Sequence, residues 1–133
     1  MIDIHGDVHS VLCTNCDYRT RVDDYTGLSP LPMCPECSKP LRPDVVLFGE
    51  LLPFEKVEVM ERELDLGFDV VLSIGTTSVF PYIVRPVLDA KLKGKPTVEI
   101  NPGTTMISGE VDVQLPLSAV EALDSLWSRL AQV

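Results

Sequence analysis

The chain has 133 residues, 45% of them hydrophobic, which suits one ordinary domain with a core and argues against low-complexity disorder. Its formal charge is −9, from 20 Asp and Glu against 11 Lys and Arg, so phosphate backbones repel it and nucleic acid is not an expected partner. No apolar run approaches the roughly 20 residues of a bilayer span, and Asp3, His5 and Asp7 stand where a signal peptide needs basic and apolar segments; the expectation is a cytoplasmic protein with no membrane partner.

Residues 8–42 are polar, rich in turn formers and weak in helical periodicity. They read as a small module held by something other than an apolar core. From Pro43 the character changes. Residues 44–49, DVVLFG, form a short β-branched run ending in Gly49. Residues 52–67 predict a helix, with Pro53 suited to its first position, Phe54, Val57, Met60 and Leu64 near one face, and Gly67 closing it. Residues 68–75, FDVVLSIG, read as a fully buried parallel strand. Residues 82–94 predict a helix with Lys91 and Lys93 in its last turn, although Pro86 conflicts with a helix interior.

Residues 95–101 and 111–116 predict two more strands. In the last helix Ser118 and Glu121 form a capping box, and Ala119, Leu123, Leu126, Trp127 and Leu130 form an apolar stripe. Alternation of strand and helix from residue 44 onward predicts a parallel α/β sheet.

All four cysteines lie in two Cys-x-x-Cys pairs, Cys13 with Cys16 and Cys34 with Cys37, seventeen residues apart. This is zinc-site spacing: each tight knuckle aims two sulfurs at one ion, and two knuckles complete an S4 shell. Four thiolates leave no position for water, so a zinc here is structural. A rubredoxin-type iron site and a redox pair are the alternatives. His9 is read as a surface histidine, because the thiolates already suffice.

Gly75, Thr76, Thr77 and Ser78 follow a strand and precede a helix, where an open α/β sheet binds ligands and a helix N-terminus offers donors to an anion. A strand-to-helix turn needs small residues anyway. Asn101 in EINPG has the same two readings, a ribose contact or a turn cap.

His5-Gly6, the two cysteine pairs, LRPDVVLFGE (41–50), SIGTTSVFP (73–81) and VEIN (98–101) occur in the order and spacing of the sirtuins. The chain resembles these NAD-dependent protein-lysine deacylases from residue 2 to about residue 130. The resemblance implies a partial Rossmann-like parallel sheet, residues 1–7 and 43–133, with a small zinc-ribbon-like inserted domain, residues 8–42. It implies transfer of the acyl group from lysine to ADP-ribose with release of nicotinamide. His5 matches the catalytic general base, and an imidazole titrates near neutral pH without much tuning. Cys13, Cys16, Cys34 and Cys37 match structural Zn2+ ligands. Val46, Phe48 and Gly49 match the segment that pairs in β fashion with an acylated-lysine protein or peptide. Gly75, Thr76, Thr77, Asn101, Pro102, Gly103 and Ala119 match positions that contact NAD.

The sequence departs from the family pattern in places. Thr77 replaces a usual serine, the 75–81 loop is one residue shorter, FPYIVRP replaces a small-residue YPAA run, and Leu117 stands where glycine is usual. The glycine-rich GAG-x-S turn and the QN-x-D segment are absent. The expectation is therefore the carboxyl-terminal part of a sirtuin without its amino-terminal NAD-binding half, inactive alone, and prone to association through an exposed sheet edge. The competing expectation is a non-catalytic, zinc-stapled peptide-binding module.

Overall fold

A computed structural model of the protein describes residues 1–131. These fall into two compact units, Met1–Arg62 and Glu63–Val133.

The first unit is built on an antiparallel sheet. Strand β1 (Gly6–Cys13) lies between β2 (Arg19–Arg21) and β3 (Leu41–Val45). Residues 6–13 were not expected as a strand, yet the alternation is there: Val11 and Cys13, two apart, are buried on one side. The register pairs Leu12 with Arg42 and Cys13 with Leu41, then shifts between Asp7 and Val11 before pairing Gly6 with Val45. Thus the run expected at 44–49 begins earlier and ends at Val45. It joins this small sheet and not the parallel one. The local apolar run was legible, but its partner strand lies some thirty residues away in sequence, behind both cysteine pairs. Helix α1 (Phe54–Leu66) follows, one residue inside Pro53.

The second unit is a three-stranded parallel sheet in the order β4 (Val71–Ile74), β5 (Thr97–Ile100), β6 (Val113–Leu115). Helix α2 (Pro81–Leu92) connects β4 to β5, lies against both, and buries Val87 and Ala90. Pro81 starts the helix, and α2 runs on through Pro86. Pro86 sits in its second turn, so the missing amide costs the helix only the bond to the Tyr82 carbonyl. Buried Ile100, Ile107 and Ala122 extend this core. Helix α3 (Ala119–Leu130) follows β6 and starts with the expected capping box: the Ser118 hydroxyl accepts from the Glu121 amide at 3.3 Å, and the Glu121 carboxylate accepts from the Ser118 amide at 3.0 Å.

One expectation of burial fails, and an apolar stripe is left largely exposed. In β4 only Ser73 is buried, while Leu72 and Ile74 are exposed. On α3 the buried residue is Ala122, and Leu123, Leu126, Trp127 and Leu130 all face outward, Trp127 at 74%. Parallel sheets are ordinarily covered on both faces; here β4 is an edge strand of a three-stranded sheet, and among the described residues these side chains are only partly covered.

Candidate functional site

The four thiols come together as the spacing predicts. Their sulfurs all lie within 4.8 Å of one another, with Cys13 to Cys37 at 3.4 Å and Cys16 to Cys34 at 3.6 Å. A tetrahedral zinc with Zn–S bonds near 2.3 Å holds its sulfurs about 3.8 Å apart, so the donor set fits that ion in number, type and spacing. The knuckles explain the convergence. The amides of Asn15 and Cys16 donate to the Cys13 sulfur at 3.3 and 3.5 Å. In the second knuckle the Ser38 amide donates to the Cys34 carbonyl at 2.9 Å, and Ser38 takes φ +56°.

Burial pushes the Cys13 thiol up, but the Cys16 and Asn15 amides outweigh it and bring it down to about 6. The Tyr18 amide lowers Cys16, yet burial and the hydrogen bonds with Cys37, Cys13 and Cys34 push it up to about 12. A bound cation displaces the protons of the thiols that ligate it. His9 is exposed and outside the cluster; its Nδ1 lies 3.1 Å from the Val22 carbonyl, as expected of a surface histidine.

His5 sits in a tight turn closed by the Gly6 amide donating to the Asp3 carbonyl at 2.8 Å. Lys56 of α1 holds that turn by donating to the same carbonyl at 2.9 Å and pairing with the Asp3 carboxylate at 3.2 Å. Gly6 is required there. Its φ is +87°, and a Cβ would lie 2.0 Å from the Asp44 carbonyl oxygen of β3. The Val46 amide donates to the His5 carbonyl at 2.9 Å, so the turn and the segment after β3 are joined.

That segment leaves β3 at Val45 and turns at Leu47–Glu50. The Glu50 amide donates to the Leu47 carbonyl at 3.0 Å, and Gly49 has φ +88°. Phe48 projects into solvent at 96% exposure. His5, the cysteines, Val46, Phe48 and Gly49 all belong to the first unit.

Every candidate NAD position belongs to the second unit. Its three strands are parallel, so their carboxyl ends share one edge. There the Gly75 amide donates to the Ile100 carbonyl at 2.9 Å and the Asn101 amide to the Leu115 carbonyl at 3.1 Å. Gly75 with φ +64° turns the chain away from β4, and Ala119 opens α3 beyond β6. The Asn101 side chain joins two of these loops: its Nδ2 donates to the Thr76 carbonyl at 2.8 Å, and its Oδ1 accepts from the Gly103 amide at 3.0 Å. Of the two readings of Asn101, the turn cap is present. One device had no signal as a site. The carboxylate of Glu99, 1% exposed, accepts from the Ser108 hydroxyl at 2.5 Å and from the Thr105 hydroxyl, anchoring the loop after Asn101.

Residues 1–81 match the model of the Sir2 family. The chain belongs to the Sir2 family. It is 40% identical over 131 residues to NAD-dependent protein deacylase 2 of Pseudomonas aeruginosa, covering 98% of this chain and 51% of that protein. This Sir2 chain also matches a crystal structure of a Sir2 homologue–NAD complex with TM-score 0.87 and 34% identity, over 98% of this chain and 51% of the other. A Sir2 structure bound to a propionylated peptide shares the fold, with TM-score 0.83 at 23% identity, and the chain covers 56% of it. The chain spans about half the length of the curated relatives it matches. The expected fold class holds: a parallel α/β sheet, plus a small antiparallel sheet carrying the four-cysteine cluster as in Sir2 proteins. No described helix is long and apolar enough to cross a membrane.

Proposed function

We propose that this chain supplies the zinc-stapled, peptide-capturing part and one edge of the cofactor site of a cytoplasmic NAD-dependent protein-lysine deacylase, and that it works only together with an amino-terminal half. The carrying observation is that Gly75–Thr77, Asn101–Gly103 and Ala119 gather at the carboxyl edge of one parallel sheet, with a helix N-terminus after β4 and another after β6. A dinucleotide suits that edge, because glycine turns and small hydroxyl residues allow close approach to the backbone.

When bound, NAD supplies the activated ribose carbon that accepts the acyl oxygen as nicotinamide leaves. The chain's residues orient and deprotonate. His5 Nε2 or Nδ1 takes a proton from a ribose hydroxyl as general base. Val46, Phe48 and Gly49 hold the acyl-lysine peptide by strand addition. The Val46 amide is engaged by His5, so Val46 offers a peptide its carbonyl. Asn101 holds the Thr76 and Gly103 turns in one arrangement. Cys13, Cys16, Cys34 and Cys37 hold zinc, which keeps β1 beside β3 and takes no part in the chemistry. The exposed apolar side chains of β4 and α3 and the half-length match support the need for a second half.

The test is deacylation of an acetyl-lysine peptide with NAD, by the chain alone and after supplying the amino-terminal half of the Pseudomonas aeruginosa relative. The reading expects turnover only in the complemented sample and none with His5→Ala. Turnover that survives His5→Ala overturns it. A non-catalytic peptide-binding module is favoured by one observation: the zinc site and the peptide segment share one compact unit that contains none of the NAD positions. That reading predicts peptide binding without ADP-ribose binding.

A further inference from the structure

Arg42 and Glu50 lie eight residues apart on either side of the 46–49 segment, of which residues 47–49 are exposed, and the structure closes them into a ring. The Arg42 guanidinium donates to both Glu50 oxygens, Nη1 to Oε1 at 2.5 Å and Nη2 to Oε2 at 2.9 Å. The same Nη2 donates to the Val45 carbonyl at 2.7 Å, where β3 ends. Across the ring the Glu50 Oε2 accepts from the Leu47 amide at 2.9 Å. The segment is therefore tied at its entry, through Val45, and inside its turn, through Leu47, by one ion pair. A bidentate guanidinium–carboxylate pair fixes geometry as well as distance. Leu47, Phe48 and Gly49 are exposed, so none of them is a member of the apolar core.

We infer that Arg42 and Glu50 are positioning residues that fix the backbone where Val46 and Leu47 leave β3 and enter the Leu47–Glu50 turn, so that an acyl-lysine peptide meets an already ordered edge. The inference rests on the reading of Val46, Phe48 and Gly49 as the peptide segment. Neither side chain needs to touch the peptide. Their effect is preorganisation: strand addition is favoured when the receiving edge is already ordered. The pair also sets the donor pattern. With the Val46 amide on the His5 carbonyl and the Leu47 amide on Glu50, both donors are already engaged within the chain.

The experiment uses the full zinc-loaded chain, its Glu50→Gln and Arg42→Gln variants and the double variant. Amide hydrogen exchange at Leu47 is read without ligand, and an acetyl-lysine peptide is titrated by NMR. Melting temperature and zinc content serve as controls. The expected result is about tenfold weaker peptide binding and about tenfold faster Leu47 exchange in each single variant, as for loss of a hydrogen bond to a charged group. The double variant should be no worse than either, with controls unchanged. Peptide shifts in the unaltered chain that persist at equal affinity in Glu50→Gln overturn the positioning role alone. No peptide shift at residues 46–49 in the unaltered chain overturns the substrate reading, and the positioning role with it. A general fall in melting temperature matching the loss of binding also overturns it, as the mark of a merely structural pair.

Discussion

The main-chain amide of Val46 donates to the carbonyl of His5 at 2.9 Å. Through this one bond the proposed general base and the start of the proposed peptide segment share a rigid link, made where β1 and β3 converge. Its geometry depends on Gly6, the next residue. Gly6→Ala places a methyl into the Asp44 carbonyl at a positive φ. The expected cost is about 2 kcal/mol or more, measured by denaturant unfolding of the zinc-loaded chain. Gly67→Ala serves as control: it shares the positive φ, but its Cβ meets nothing within 4 Å, so its smaller loss isolates the clash at Gly6.

Removing zinc should unfold the first unit, where the described buried side chains are only Val11, Cys13 and Cys34. Two of those three are themselves members of the thiol cluster, so the metal replaces a core. Chelation followed by circular dichroism should show loss of strand signal. Cys34→Ser should purify with less than one equivalent of zinc. Full structure in the chelated, metal-free chain would count against the staple.

The Glu50 carboxyl is held at about 2, against an ordinary 4.5, chiefly by the Arg42 hydrogen bonds and also by the Leu47 amide. A depressed carboxyl stabilises the fold above its ordinary value and loses that effect as pH falls through the folded value. The window is therefore pH 4.5 down to about 2. Leu47 exchange, corrected for intrinsic rates, should lose protection over that range. Acid also releases zinc from the thiolates in both chains, so the Glu50 contribution is read as the extra loss in the unaltered chain over the Glu50→Gln variant.

Ser118→Ala removes the hydroxyl that accepts from the Glu121 amide at the start of α3. A lost N-cap costs about 1 kcal/mol. Because α3 buries only Ala122, packing cannot compensate, and the loss should appear as reduced helix content by circular dichroism.

The single tryptophan reports on the exposed face. Trp127 is 74% exposed, so its fluorescence should be that of a water-exposed indole and readily quenched by iodide. Supplying an amino-terminal half should shift the emission to the blue and protect it. Emission of a buried indole in the isolated chain at low concentration would contradict the exposed stripe.

Much of this was legible in the sequence because it is local. The cysteine spacing places four sulfurs together, Ser118 and Glu121 make their capping box, and Gly75 turns the chain after β4. What sequence left unread is non-local. Strand β1 depends on pairing with Leu41–Val45 across the whole cysteine module. The Arg42–Glu50 ring, the Asn101–Thr76 bond and the Glu99 anchor are contacts between residues whose types alone fit many uses. The apolar stripe of α3 was read correctly as a stripe, but periodicity says which side chains share a face and not what covers them. Full burial of that face needs neighbours that the described residues do not provide.

The most direct test of the central claim is product stoichiometry in the complemented system. Acetyl-lysine peptide and NAD are supplied, and acyl loss and nicotinamide release are measured together. Transfer to ADP-ribose predicts one nicotinamide released per acyl group removed, with both falling to background in His5→Ala. Acyl loss without nicotinamide release, or equal rates with and without His5, would contradict the account.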